Sequence, residues 1–306
     1  MFLKGIDQTK TESFDFTIEG LNKETYENMS LDDLMIEGVE SINEFEVLFL
    51  ENELEMSELK AKMIMLEHKS IITENNDLYL EGVKEIGGKI KDWAKKTMEA
   101  FKKFIAKIWT YFKSFFSKAE TFMTENKEKY AIGIKNTDKT VKWISLNSMD
   151  GLKHSWEVTS LKDKEVSKLK EELEAAKTSL KDSRLDFQPK EVKLSDIGTT
   201  ADAMINKFKE LKGIQANLSK NVKAMEDNLK TLSSTTGSTH TDEESKKTEI
   251  SAKNNLMKEI VSAQISLLKK KTGYLAKSAS LIFKAYRAAV VAGTTGKSES
   301  SVFDTI

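Results

Sequence analysis

Proline occurs once in this chain of 306 residues, at Pro189, and this scarcity is the strongest constraint on its fold. Because proline and glycine are the main helix breakers, one proline and 14 glycines leave long tracts that nothing interrupts. Apolar side chains recur along these tracts at three- and four-residue steps, whereas strand-like alternation is not convincing anywhere. The sequence therefore predicts an all-α protein, a bundle of five or six long amphipathic helices with an N-terminal antiparallel helical hairpin.

Periodicity and composition divide the chain into regions. They are an irregular N-terminal arm (1–29), a helical hairpin (30–130), a helical middle region with a short coiled-coil segment (131–232), a flexible linker (233–248), a C-terminal helix (249–293) and a tail (294–306). Ser30 begins the first helix, with Asp33 at the capping-box position. Twelve apolar residues of that helix predict one buried face: Leu31, Leu34, Met35, Val39, Ile42, Phe45, Leu48, Phe49, Leu54, Leu59, Met63 and Leu66.

Charge is separated along the hairpin, although the formal net charge of the chain is only −1. From Glu24 to Glu58 there are twelve acidic side chains and no lysine or arginine. From Lys89 to Lys118 there are nine lysines against two acidic residues. The chain has only two arginines, which argues against a sequence-specific nucleic-acid reader, because such proteins use the bidentate guanidinium.

Residues 90–123, "IKDWAKKTMEAFKKFIAKIWTYFKSFFSKAETFM", form a lysine–aromatic segment. Lysines flanking a broad aromatic face are typical of a helix at a membrane surface, of a nucleic-acid-binding surface, or of the wall of a bundle. We favour the bundle wall, because burying each large side chain contributes roughly 1.5–3 kcal/mol and each exposed ion pair only about 0–1 kcal/mol. The candidate interaction surface comprises Trp93, Lys95, Lys96, Lys102, Lys103, Lys107, Trp109 and Lys113.

Catalytic and metal-binding patterns are not found in the sequence. Cysteine is absent, which excludes disulfides, thiolate metal sites and cysteine nucleophiles. The three histidines, His68, His154 and His240, are far apart and lie in no metal-ligand spacing. The longest charge-free runs fall well short of the roughly 18 residues of a spanning helix. We therefore expect no enzyme, metal, cofactor or transmembrane helix.

A short pattern occurs three times: an apolar residue, glutamate and glycine. It places candidate processing sites after Glu19, Glu37 and Glu81. These tripeptides resemble the sites that capsid-maturation proteases of large tailed phages cut after glutamate. They also arise by chance in a glutamate-rich chain, and the last two lie within predicted helices, which protects them from cleavage.

Residues 30–130 resemble the internal or accessory virion proteins of large tailed phages. The resemblance rests on the acidic helix, the block "AFKKFIAKIWTYFKSFFSK" and the long Lys/Glu helices that follow. It implies a non-enzymatic structural or cargo role in the capsid interior or a minor structural layer, after residence in the cytoplasm of the infected host. The implied partners are other virion proteins or a second copy, with weak, non-specific contact to packaged DNA.

Two other classes stay open. One is an α-helical membrane-active, pore-forming protein that uses residues 90–123 against an anionic membrane surface. The other is a cytoplasmic helical adaptor.

Overall fold

The computed structural model describes residues 28–73, 76–135, 138–153, 157–182, 188–235 and 244–295. Within these ranges the chain forms six α-helices and one two-stranded sheet. The helices are α1 (Leu31–Thr73), α2 (Asn76–Glu125), α3 (Lys127–Gly133), α4 (Val166–Asp182), α5 (Ala201–Thr235) and α6 (Glu244–Thr295). The strands are β1 (Thr140–Trp143) and β2 (Lys190–Lys193), and 3-10 helices cover Leu146–Lys153 and Leu194–Ile197. The predicted all-α bundle is confirmed.

Helices α1 and α2 form the predicted antiparallel hairpin. Ser30 caps α1 as expected, since its Oγ accepts a hydrogen bond from the backbone N–H of Asp33 at 3.1 Å. The two helices run in opposite directions, because Glu44 contacts Lys107 whereas the later Glu55 contacts the earlier Lys96. Phe45 stacks on Phe104 between them, with ring centroids 4.0 Å apart.

Helix α6 occupies the centre of the bundle. It packs against α3, α4 and α5 and also touches both hairpin helices. Its buried residues lie on nearly every side: Met257, Ile260, Val261, Ile265, Leu267, Leu268, Leu275, Ala276, Ala279, Ile282, Phe283, Ala285, Tyr286, Ala289 and Val290. Because α6 is buried on nearly every side and contacts each of the other α-helices, it organises the bundle.

Helix α3 crosses α6 at very short range. A Cβ added to Gly133 would lie 1.8 Å from the carbonyl oxygen of Ala289. The opposing atoms belong to backbone, which cannot rotate away as a side chain can. Glycine at this position therefore allows the helix axes to approach, and α3 is held at the C-terminal end of α6.

The sheet was not predicted. β1 and β2 pair antiparallel, with Thr140 opposite Lys193 and Trp143 opposite Lys190. Each strand has four residues, which is too short for a period-two pattern to emerge from the sequence. β2 directly follows Pro189, and a proline favours an extended backbone at the residue before it.

Several predicted boundaries move. The first three residues of the expected linker belong to α5 and residues 244–248 belong to α6, while 236–243 lie outside the described residues. α6 continues through Thr295, so the first two residues of the expected tail are helical. The predicted coiled-coil segment corresponds to α4, which begins at Val166 and buries Leu169 and Leu173 against the bundle. Of the predicted N-terminal arm, residues 1–27 lie outside the described part.

Candidate interaction surface

The aromatic face of the lysine–aromatic segment is the core of the hairpin half of the protein. Phe101, Phe112 and Phe115 have no exposed surface, and Phe116 is 1% exposed. Phe115 meets Phe283 of α6 edge to face, with ring centroids 5.8 Å apart. Aromatic pairs of this geometry add to the area that they bury, so α2 is held to the bundle by its rings. The bundle-wall interpretation is confirmed for the described fold.

The lysines of the segment lie around the rim of this face. Lys95, Lys96, Lys103 and Lys113 are exposed, and Lys102 and Lys107 are partly buried. Lys107 Nζ lies 2.8 Å from Glu44 Oε2. Lys96 Nζ lies 3.5 Å from Glu55 Oε1, so two lysines make the predicted acidic–basic contact with α1. Whether these lysines also bind a partner stays a prediction.

The two tryptophans assigned to this surface have different environments. Trp93 is only 1% exposed and belongs to the core, so the described fold does not present it to a partner. Trp93 is buried for the same reason as the phenylalanines, since a large apolar ring on the inward face gains most by leaving water. Trp109 is partly exposed and packs beside Phe112 with ring centroids 6.0 Å apart.

Two of the candidate processing sites lie inside helices. Glu37 belongs to α1 and Glu81 to α2, whereas Glu19 lies outside the described residues. Gly38 has a structural reason of its own: a Cβ there would lie 2.4 Å from the ring of Tyr111. The glycine lets α1 approach α2, so the Glu37–Gly38 pair does not need proteolysis to account for it.

Helix α1 carries a second apolar face that the sequence interpretation missed. Val39 and Leu54 were assigned to the buried face, but they are 45% and 64% exposed. They belong to a stripe on the other side of the helix, here called the outward stripe: Ile36, Val39, Val47, Leu50, Leu54, Ile64 and Met65. At about 100° per residue these seven positions fall within an arc of roughly 100°. Separating the apolar residues of α1 by angle would have found it.

Two tyrosines, one on α3 and one on α6, donate hydrogen bonds to backbone carbonyl oxygens of neighbouring segments. Tyr286 Oη donates to the carbonyl oxygen of Met123 at 2.6 Å, and Tyr130 Oη donates to that of Thr199 at 2.8 Å. Their rings stack with centroids 4.3 Å apart. Burial raises the pKa of Tyr286 to about 12 and also raises the pKa of Tyr130. Both phenols therefore stay protonated as donors at neutral pH.

Glu226 of α5 is a buried carboxylate next to the back of the lysine–aromatic segment. It is 6% exposed, and its Oε1 has no hydrogen-bond partner among the described residues. Burial raises the pKa of Glu226, and the nearby charge of Lys102 lowers it in opposition. A carboxylate with a raised pKa is a feature of some catalytic acids, but this one lies inside the helix packing.

The surface between α2 and α5 holds an open groove of about 320 Å³, lined by Ser117, Glu120, Thr121, Thr124, Glu125 and Lys212. Glu120 bridges two lysines across it, at 2.8 Å to Lys212 and 3.8 Å to Lys209. The hydrogen bond from Lys212 lowers the pKa of Glu120. These ion pairs keep the carboxylate of Glu120 ionised. They also connect α2 to α5 across the groove.

Metal ligands do not gather within the described ranges, where no group of three or more histidine or acidic side chains could hold an ion. His68 lies in α1, and His154 and His240 fall outside the described part. No helix in the described part of the chain is both long and apolar enough to cross a membrane. Comparisons with protein-family models, with curated proteins and with solved structures found no match to this chain.

Proposed function

We propose that this protein is a non-enzymatic structural or cargo component of a phage particle, packed inside or against the capsid by protein contacts. The observation that carries the proposal is the antiparallel pairing of an acidic helix with a lysine–aromatic helix across residues 31–125. This is the part of the chain that resembles internal virion proteins. The charge separation along the sequence corresponds to a contact in the fold, since each of the two helices supplies an apolar face to the other and charges of opposite sign.

Contact with packaged DNA would be weak under this proposal. Lys95, Lys103 and Lys113 are exposed on α2 and suit non-specific contact with phosphates. The acidic helix α1 runs beside them, and its carboxylates repel the same phosphates. We therefore assign the main contacts of the protein to other virion proteins or to a second copy, with DNA as a secondary, salt-sensitive partner.

The membrane-active alternative requires a different state of the protein. An interfacial helix must present its apolar face to lipid. In the described fold that face is closed, because Phe101, Phe112 and Phe115 are fully buried. Membrane contact through residues 90–123 would require α2 to leave α1 and α6, which is why the virion proposal is preferred.

Quantitative mass spectrometry of purified particles of the encoding phage tests the proposal. We expect the chain at many copies per particle. Its absence from particles, together with abundance in membranes of infected cells, would refute the virion role and favour the membrane-active class.

Dye release from anionic vesicles separates the two classes with the purified protein alone. At neutral pH we expect no release above that caused by an unrelated helical protein of similar charge. A defined cellular partner recovered in a pull-down from uninfected host cells, with no signal in particles, would instead favour the adaptor class.

A further inference from the structure

The outward stripe of α1 is a row of exposed apolar residues, interrupted by the exposed Asn43 and Ser57, that the bundle leaves open. Its exposed fractions run from 37% at Ile36 to 70% at Met65. At a rise of about 1.5 Å per residue, the stripe extends for roughly 43 Å along the helix. Val47, Leu50 and Leu54 follow three- and four-residue steps, which is the spacing of a seam between two helices.

The fold does not need this stripe for its own packing. Helix α1 contacts α2 through its other side, where Leu34 is fully buried and Phe45 is 4% exposed. Leu54, by contrast, is 64% exposed. Extended apolar patches on an otherwise charged surface mark sites of protein interaction. The stripe is therefore a candidate docking surface, and its border identifies the chemistry of the occupant.

That border is acidic. Glu40, Glu51 and Glu58 are exposed and lie along one side of the stripe, at about 70–90° from its centre line on a helical projection. The sequence has no lysine or arginine from Leu31 to Glu58, and Lys60 and Lys62 follow only beside the last part of the stripe. The inward side of the same helix already shows what such a helix accepts, because a lysine-flanked helix packs there and Lys107 meets Glu44 at 2.8 Å.

We propose that the outward stripe of α1 is a docking site for an amphipathic helix of another protein, with an apolar seam flanked by lysine or arginine. A second copy fits poorly, because pairing two outward stripes would set two mostly acidic borders against each other, with Glu40, Glu51 and Glu58 against the exposed Lys62, and like charges across a helix pair destabilise it. The two ends of the chain have the wrong sign as well. Residues 1–27 hold three lysines and six acidic residues, and residues 296–306 hold one lysine and two acidic residues. The inference does not depend on the proposed virion location, because it concerns the purified chain.

Synthetic peptides about four heptads long test the proposal by fluorescence anisotropy with the full chain. One peptide has a leucine seam flanked by lysines, the second has the same seam flanked by glutamates, and the third is a scrambled form of the first that lacks a seam. We expect the lysine-flanked peptide to bind about tenfold or more tightly than either of the others, since only it offers both burial and opposite charge.

Variants locate the binding. Leu50→Ser with Leu54→Ser should weaken the lysine-flanked peptide about tenfold or more, since a large part of the seam is lost. Glu51→Lys with Glu58→Lys should move the preference toward the glutamate-flanked peptide. Ile132→Ser on α3, at a residue that is 51% exposed, is the matched control and should leave binding unchanged. Circular dichroism of each variant verifies the fold, and the variants separate docking on the stripe from displacement of α2.

Three results would overturn the proposal. The first is equal affinity for the lysine-flanked and scrambled peptides, which would reduce the effect to bulk charge. The second is unchanged binding in both stripe variants. The third is self-association in sedimentation velocity that the leucine substitutions abolish, which would make a second copy the occupant of the stripe.

Discussion

The lysine–aromatic segment of α2 and the outward stripe of α1 are both apolar helix surfaces of the hairpin, but the first is buried and the second is exposed. The segment is dense in phenylalanine, and Phe112 and Phe115 have no exposed surface. The stripe is built from scattered aliphatic residues, and Leu50 and Leu54 are more than half exposed. A single helix can bury only one side in a hairpin. The aromatic face of α2 therefore forms the core, and the outward stripe of α1 stays available to a partner.

The largest expected effect comes from truncating the aromatic face. Phe112→Ala should lower the free energy of unfolding by about 3–5 kcal/mol, because it removes a fully buried ring from a packed site. Urea unfolding followed by circular dichroism measures this loss. A loss below about 1 kcal/mol would contradict the difference between the two surfaces, since it would mean that the lysine–aromatic segment does not form the core.

A matched pair of adjacent residues tests the two sides of α1. Gly38→Ala should cost about 1–3 kcal/mol, because its Cβ would press on the buried ring of Tyr111, and this outweighs the gain in helix propensity of up to about 1 kcal/mol. Val39→Ala, one residue further on and 45% exposed, should change the unfolding free energy by less than about 0.5 kcal/mol. Equal costs at both positions would show that α1 has no distinct inner and outer side.

Charge reversal on α2 measures the electrostatic contribution to the stability of the hairpin. Replacing Lys102, Lys103 and Lys107 by glutamate should cost about 1–2 kcal/mol in sum, because these lysines lie at an exposed or partly exposed rim where solvent screens ion pairs. The cost should shrink in high salt. A loss larger than that of Phe112→Ala would make charge rather than burial the main stabiliser of the hairpin.

Substitution of Glu226 on α5, near Lys102 of α2, should have a smaller, pH-dependent effect on stability. Burial raises its pKa in the folded protein, so the folded state binds its proton more tightly than the unfolded state does. Its favourable contribution is complete below the unfolded pKa and is lost as the pH rises through the raised value. Glu226→Gln should therefore stabilise the protein slightly at neutral pH, by a fraction of the roughly 1–3 kcal/mol that an unpaired buried acceptor costs.

The difference between the variant and the parent should vanish near pH 4, where both side chains are neutral. Thermal unfolding at both pH values measures it. A Glu226→Gln protein that is less stable at neutral pH would show that the carboxylate and Lys102 form a net stabilising pair.

Sequence reasoning succeeded where one strong period dominates. The rings from Phe101 to Phe116 share a single face, and Ser30 stands at a capping position that the structure uses. It failed at α1, because apolar residues on two sides of a helix merge into one list unless their angles are compared. It also missed β1 and β2, since four residues carry too little alternation to register.

Which side of α1 faces the bundle could not be predicted from the sequence. The sign of the charge along the stripe could be read from the sequence, but its exposure could not. Only the three-dimensional arrangement shows that Leu54 faces away from the bundle while Phe45 faces into it.

Methionine oxidation tests the central contrast most directly, because each of the two surfaces carries a methionine. Met65 lies on the outward stripe and is 70% exposed, whereas Met123 ends the lysine–aromatic segment and has no exposed surface. With dilute hydrogen peroxide under native conditions, peptide mass spectrometry should find Met65 converted to the sulfoxide while Met123 stays intact, and the two rates should converge only in denaturant. Oxidation of Met123 as fast as Met65 in the native protein would contradict the account, since the aromatic face would then be open to solvent.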